Sequence, residues 1–331
     1  MDPSNRLSGE VLVTWPDWDQ DGPDASRLLR RAGLSLRLAP RLRKRTMAEM
    51  LRLVDGVVGA VVSTDPFDAR VIKRASRLRV IARIGVGIDS IDLDAATRAG
   101  ITVTTTPGAN EETVADHTLA LMLAALRNLI EHDTSVRRLE WRRSGDSIPS
   151  QLYGRTVGLI GYGRIGQAVA RRLRAFDVRL LVCDPAIDTV HDVEIVSLEK
   201  LLERAEVVSL HVPLLPTTRS LIGARELAQM RRDAILVNTS RGGLIDENDL
   251  LYALEQRSIR AAALDVFESE PPINSRLLLQ PNVILTPHVA GLSRESITAM
   301  TCMAAQCVID VLSGRVAFGT MNAPRLQDVT V

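Results

Sequence analysis

Residues 158–166 read Gly-Leu-Ile-Gly-Tyr-Gly-Arg-Ile-Gly, and the glycines at 161, 163 and 166 stand at the spacing that holds a pyrophosphate. Gly161 allows a tight turn, Gly163 lets the backbone come close to the phosphates, and Gly166 lets the following helix pack on the preceding strand. N–H groups at that helix start, with Arg164 and Ile165, face an anion as donors. Such a loop needs an acid about 20 residues further on to accept hydrogen bonds from the adenosine ribose. Asp184 fills that place, after an apolar run at 179–183. Its carboxylate also repels a 2′-phosphate, and residues 185–190 contain no arginine to hold one. The expected cofactor is therefore NAD in preference to NADP.

Four more apolar runs follow, near 207–211, 234–238, 260–265 and 283–286, and each closes on polar groups. Their ends carry His211-Val212-Pro213, Asn238-Thr239-Ser240-Arg241-Gly242, Asp265-Val266-Phe267 with Glu270-Pro271 just beyond, and Thr286-Pro287-His288. In an open parallel sheet, ligands bind beyond the carboxyl ends of the strands. These groups are thus expected to converge on one edge.

The elements that would place them alternate. Strand runs at 155–160 and 179–183 flank a helical repeat of Ile165, Val169 and Leu173. Upstream, strands are expected at 11–13, 34–38, 59–62, 80–83 and 101–104, with helical patterns at 25–32 and 46–54. Such alternation argues for an α/β fold with parallel sheets. A long helix is expected over 111–130, a polar irregular stretch over 137–151, and a final helix over 294–312. The division expected is a nucleotide domain at 106–296 and a second domain from 1–105 with 297–331. Two crossings between the domains make a hinge with a cleft.

Six motifs in order make the chain similar to the D-isomer-specific 2-hydroxyacid dehydrogenase family, of the phosphoglycerate dehydrogenase and glyoxylate/hydroxypyruvate reductase kind, over nearly its whole length. They are Arg83-Ile-Gly-Val-Gly-Ile-Asp89-Ser-Ile-Asp92, the 158–166 turn, His211-Val-Pro-Leu-Leu-Pro-Thr-Thr218, Asn238-Thr-Ser-Arg241-Gly, Leu264-Asp265-Val-Phe-Glu-Ser-Glu270-Pro, and Thr286-Pro-His288-Val-Ala-Gly291. The resemblance implies a Rossmann-type doubly wound nucleotide domain and a smaller flavodoxin-like α/β substrate domain. It implies that Arg241 clamps the substrate's carboxylate and carbonyl, and that His288 is the acid/base paired with Glu270. Asp265 would orient the nicotinamide carboxamide; His211, Val212, Pro213, Thr218, Thr239, Ser240, Arg241, His288 and Gly291 would line the cofactor. Val86 and Gly87 would offer N–H groups to the substrate carboxylate, or else form a plain tight turn. It also implies a homodimer held through the 111–130 helix and the 137–151 stretch with Trp141.

The residue types suit those roles. Reduction of a 2-keto acid needs a hydride at the carbonyl carbon and a proton for the developing alkoxide. Histidine, with an unperturbed pKa of about 6.5, suits the proton transfer. An ionised neighbour such as Glu270 favours the imidazolium and holds its ring. Arginine presents a planar fork that matches a carboxylate, which lysine does not. The other histidines are expected elsewhere: His117 at a helix interface, His132 and His191 in solvent, His211 shaping the cofactor loop.

Composition bounds the alternatives. With 41 basic and 40 acidic residues the formal net charge is +1, which gives no nucleic-acid footprint. Cys183, Cys302 and Cys307 form no paired framework, so reduced core or near-core thiols are expected and a metal is not. The first ten residues lack a signal-peptide apolar region and no run reaches the roughly 18 apolar residues of a membrane span, so a cytoplasmic protein is expected. Residues 55–69 contain no Arg or Lys, which argues against a phosphorylated substrate. The tail after the last helix is too short for a regulatory domain, so feedback through one is not expected. Ala115-Asp116 and Ala290 stand where many relatives have Ala-Glu and Gly. The functional alternative is a non-catalytic NAD(H)-sensing protein resembling corepressors built on the same fold.

Overall fold

The computed structural model of the chain describes residues 7–40, 45–145, 148–273 and 275–322. It divides into two compact units, one drawn from Met1–Asn110 and Leu292–Val331, the other from Glu111–Gly291. The breaks fall beside helix starts: one long helix begins at Glu111, and Ser293 caps another at Arg294. Sequence rhythm alone places them after 105 and after 296.

The first unit runs β1 (Glu10–Val13), α1 (Trp18–Asp21), α2 (Pro23–Arg31), β2 (Ser35–Leu38), α3 (Met47–Leu53), β3 (Gly59–Val62), α4 (Ala69–Arg74), β4 (Val80–Arg83), α5 (Leu93–Arg98) and β5 (Thr102–Thr104). Its parallel sheet has the order β2-β1-β3-β4-β5, the flavodoxin-like arrangement. Helix starts are set by short polar side chains: Thr46 with Glu49 forms a capping box on α3, Asp68 accepts from two N–H groups of α4, and Asp92 caps α5. Each such cap contributes about 1 kcal/mol.

The second unit holds α6 (Glu111–Leu126), α7 (Leu129–Arg137), β6 (Thr156–Ile160), α8 (Arg164–Leu173), β7 (Arg179–Cys183), β8 (Glu194–Ile195), α9 (Leu198–Arg204), β9 (Val207–Leu210), α10 (Ala224–Gln229), β10 (Ile235–Asn238), α11 (Glu247–Glu255), β11 (Ala261–Leu264) and β12 (Val283–Leu285). The chain then returns to the first unit as α12 (Arg294–Leu312). The seven strands lie in the order β12-β11-β10-β9-β6-β7-β8, the doubly wound Rossmann arrangement with one extra edge strand. Apolar clusters line both faces of this sheet, as a parallel sheet under two helix layers requires. Leu159 and Leu181 are wholly buried, and each contributes about 1.5–3 kcal/mol by leaving water.

The expected helix over 111–130 is two helices. Asn128 takes φ 50 and breaks it, and α7 then runs over 129–137, ending where the stretch read as irregular begins. Asn is among the few residues that enter this left-handed region at low cost. Asp116 forms a 2.6 Å bond with Arg172 inside the second unit, and Ala115 is wholly buried there. The Ala-Asp variation is therefore accommodated as an exposed ion pair. Contrary to the sequence expectation, α12, with 19 residues and mean hydropathy 1.3, is long and apolar enough to cross a membrane by length and composition. Its Met300, Ala304, Ala305 and Val308 instead fill the core of the first unit. Burial pushes all three cysteine thiols up, and Cys183 is half-buried at its strand end.

Candidate active site

Register assembles the site. Cys183, Ile160, Leu210, Asn238, Leu264 and Leu285 are successive partners across six strands of the second sheet. The residues that follow them are Asp184, Gly161, His211, Thr239, Asp265 and Thr286. Hydrogen bonds continue past the strand ends, from Gly161 N to Cys183 O, His211 N to Ile160 O, Asp265 N to Asn238 O and Thr286 N to Leu264 O. One sheet edge therefore carries the starts of the turns that bear the candidate residues of this unit.

At the glycine turn, Gly161 has φ +96 and a Cβ there would lie 2.6 Å from the His211 carbonyl oxygen. A Cβ on Gly166 would collide with the carbonyl oxygen of Gly161. Both glycines are imposed by packing. Gly163 differs, because among the described residues no atom beyond its own chain neighbours lies within 4 Å of the place its Cβ would take, and it precedes α8 without a side-chain cap. Open space over an uncapped helix start is what a pyrophosphate needs. Arg164 is 62% exposed beside this turn, with Glu111 at 3.7 Å; Ile165 packs against the core. Asp184 accepts from Tyr162 N at 2.7 Å and Ala186 N at 2.9 Å, which pins the turn and leaves lone pairs for a ribose. The residues present fit a dinucleotide. Replacing Asp184 by Ala removes charge-assisted bonds worth about 1.5–3 kcal/mol. The Kd for NADH should rise roughly 10- to 100-fold and that for NADPH by less; equal losses for both would mean the ribose is read elsewhere.

His211 contributes differently from its neighbours. Both ring nitrogens are buried without a hydrogen-bond partner, and burial pushes the imidazole down to about 4. Unfolded histidine titrates near about 6.5. Between those values the unfolded chain binds a proton the folded one refuses, so stability is full above the unfolded pKa and falls as pH drops towards the folded one. Without cofactor, the wild type should lose about 2 kcal/mol more than His211→Phe between about pH 7 and about pH 5, at about 1.4 kcal/mol per pH unit. Denaturant titration checks this, and parallel losses would remove His211 as the source.

The remaining turns are tied internally. Thr218 bridges Pro213 O and Leu215 N at 2.7 and 2.8 Å, holding the loop after Val212 and Pro213. Ser240 donates to Leu210 O at 2.7 Å, and Asn238 Nδ2 donates to Arg241 O at 2.8 Å, closing the turn under Arg241. A Cβ on Gly242 would collide with the Phe267 backbone, so the loop bearing Glu270 lies directly on the turn bearing Arg241. Only glycine permits that approach.

His288 Nδ1 lies 2.7 Å from Glu270 Oε2, and Glu270 Oε1 accepts from Phe267 N at 3.2 Å. Burial raises the Glu270 pKa, but the His288 hydrogen bond and charge, the Phe267 N–H and the Arg241 charge outweigh it, and the carboxyl is held below its ordinary range. Glu270 is thus the ionised partner. His288 itself takes φ 55, a conformation costing a non-glycine residue about 1–3 kcal/mol. The buried Asp265 compensates: it accepts from Thr286 Oγ1 at 2.6 Å, Val289 N at 2.9 Å and Ala290 N at 2.8 Å, while its carbonyl accepts from His288 N at 2.8 Å. Ala290 is buried, with Gly291 next in the chain.

Two sequence expectations change here. His117, expected at a helix interface, reaches the site instead, with Nε2 3.1 Å from Thr286 Oγ1 and 3.7 Å from Asp265 Oδ1. No sequence signal distinguished it, since a histidine inside an apolar helix reads as core. His132 is part-buried where solvent exposure was expected; His191 is exposed. Val86 and Gly87 belong to the first unit, in the loop between β4 and α5; Gly85 there has φ 115 and donates to Thr106 Oγ1 at 2.8 Å.

A doubly wound sheet with a glycine-turn dinucleotide site, and Arg, Glu and His on the same edge, defines an α/β nucleotide-dependent protein of the dehydrogenase type. The chain belongs to the D-isomer-specific 2-hydroxyacid dehydrogenases: residues 119–290 match the NAD-binding domain of that family. It is 41% identical over 325 residues to D-3-phosphoglycerate dehydrogenase of Methanocaldococcus jannaschii, covering 96% of this chain and 60% of that protein. It is 42% identical over 287 residues to glyoxylate reductase of Korarchaeum cryptofilum, covering 84% of this chain and 86% of the relative. A crystal structure of a protein from Thermus thermophilus superposes with TM-score 0.87 at 39% identity, covering 95% of this chain and all of the other. The chain thus spans 60% of the phosphoglycerate dehydrogenase and most of the glyoxylate reductase.

Proposed function

We propose that this protein is an NAD-dependent D-2-hydroxyacid dehydrogenase that reduces a small 2-keto acid such as glyoxylate or hydroxypyruvate, or runs the reverse reaction. The observation that carries the reading is the 2.7 Å His288–Glu270 pair on the edge that also holds Arg241 and the glycine turn. Bound NADH supplies the hydride for C2. Gly163 and the start of α8 hold its pyrophosphate, Asp184 its ribose, and the turns at 211–213 and 239–241 the nicotinamide end. Arg241 binds the substrate carboxylate and neutralises it. Glu270 holds His288 Nδ1, so Nε2 is the nitrogen that delivers a proton to the C2 oxygen in reduction and takes it in oxidation. Asp265 fixes the turn from which His288 acts.

The glyoxylate reductase relative supports a small substrate, as does the lack of basic residues over 55–69. A steady-state panel of 2-keto acids with NADH tests the reading. Turnover with a short keto acid supports it; NADH binding with no turnover on any member replaces it with a non-catalytic NAD(H) sensor. The protein is further proposed to act as a cytoplasmic homodimer. Leu139 and Trp141 are 95% and 76% exposed, beside a groove of about 1020 Å³ lined by Ile130, Ile148, Leu254, Ile284 and arginines, a surface that a second copy would cover. Light scattering giving a monomer mass would remove the dimer.

A further inference from the structure

Two neighbouring residues of α6, His117 and Thr118, each reach a different turn of the site. His117 Nε2 lies 3.1 Å from Thr286 Oγ1, and Thr118 Oγ1 lies 2.9 Å from Thr239 Oγ1. Thr239 stands two residues before Arg241, and Thr286 two residues before His288. The two contacts are equivalent in position.

Proton counting fixes their direction. A threonine hydroxyl has one proton to give. Thr286 gives its proton to Asp265 Oδ1 at 2.6 Å, so it accepts from His117, whose Nε2 carries the hydrogen. Thr118 gives its own to Val114 O at 2.8 Å, so Thr239 donates to Thr118. Thr118, Thr239 and Asp265 are all buried, where such bonds are costly to break. Two directed chains therefore join one rigid helix to the site: His117 to Thr286 to Asp265, the residue that holds the Val289 and Ala290 amides, runs out from it, and Thr239 to Thr118 to Val114 runs into it.

We propose that His117 and Thr118 are positioning residues that hold the Arg241 turn and the His288 turn at a fixed mutual distance. This rests on the functional reading above for its consequence but not for its geometry. A substrate gripped by Arg241 must present its C2 oxygen to His288, and misplacement of about 1 Å costs on the order of 10²-fold in rate. A 16-residue helix packed along β10, β11 and β12 is stiffer than either turn, so it serves as the common reference.

The test compares His117→Phe, His117→Gln and Thr118→Val with the wild type. His117→Phe should lower kcat roughly 10- to 100-fold while the Kd for NADH, read by its fluorescence, stays within about twofold. His117→Gln keeps an N–H donor and should recover most of the loss. Thr118→Val keeps shape but leaves the Thr239 hydroxyl without that partner, and should reproduce the kcat loss with a melting temperature lowered by only a few degrees. In the apo protein, the Val289 and Ala290 amides should exchange faster in His117→Phe and at the wild-type rate in His117→Gln. Unchanged exchange in His117→Phe, or a Gln variant no better than Phe, overturns the proposal. A wild type without turnover on any keto acid overturns the functional reading instead, and the exchange arm still decides the positioning.

Discussion

His288→Asn should retain the fold and lose roughly 10²- to 10⁴-fold in kcat. Asparagine is the informative replacement because position 288 has φ 55, a region Asn enters far more readily than Ala or Leu. The backbone turn and its bonds to Asp265 are therefore kept while the titrating group is removed. Asparagine can still meet Glu270 through its amide, so a rate loss reports the missing proton donor. If His288→Asn turns over within about threefold of wild type, the proton comes from elsewhere.

The second large effect is expected at Arg241. Arg241→Gln removes the charge and the fork together, and two charge-assisted bonds of about 1.5–3 kcal/mol each convert to a fall in kcat/KM of roughly 10²- to 10⁴-fold. Arg241→Lys keeps the charge and loses the planar pair, so about one bond's worth, roughly 10- to 100-fold, should disappear, mostly in KM. The pair of variants separates neutralisation from geometry. Equal losses in both would show that the fork matters and charge alone does not; a Lys variant within about threefold of wild type would move carboxylate recognition to other donors. NADH Kd serves as the control, since Arg241 stands on a turn proposed to face the cofactor.

Much of this arrangement was legible in the chain because its signals are local. The glycine spacing at 161, 163 and 166, the acid at 184, and apolar runs closing on Arg241, Asp265 and His288 each lie within a few residues of the element they mark, and parallel register then brings them level. What the chain concealed is long-range. His117 meets Thr286 across 169 residues, and Thr118 meets Thr239 across 121; an apolar helix offers no periodic sign of which polar residue is turned to a strand end. The collision of Gly242 with the Phe267 backbone is likewise invisible until two loops are folded together. The break at Asn128 was missed for a different reason: apolar periodicity continues through it, and a single left-handed residue leaves no mark on that pattern.

The first unit is assembled from two segments separated by the whole of the second. Its core includes Met300, Ala304, Ala305 and Val308 of α12, and Thr104 bridges to Thr320 while Asn322 bonds to Thr97 and Ile101. During synthesis the chain emerges amino end first, so the unit begun earliest is finished last. Residues 111–291 can complete their sheet on the ribosome while the face of β1 to β5 that α2 partly covers still lacks α12. Until α12 is released, the face of Val11, Val13, Val61 and Val80 is covered only in part, by Trp18, Ala25 and Leu29, and a chaperone that shields exposed apolar surface would find its binding site there. An early stop codon anywhere within α12 would accordingly damage the opening third of the protein more than the segment it follows.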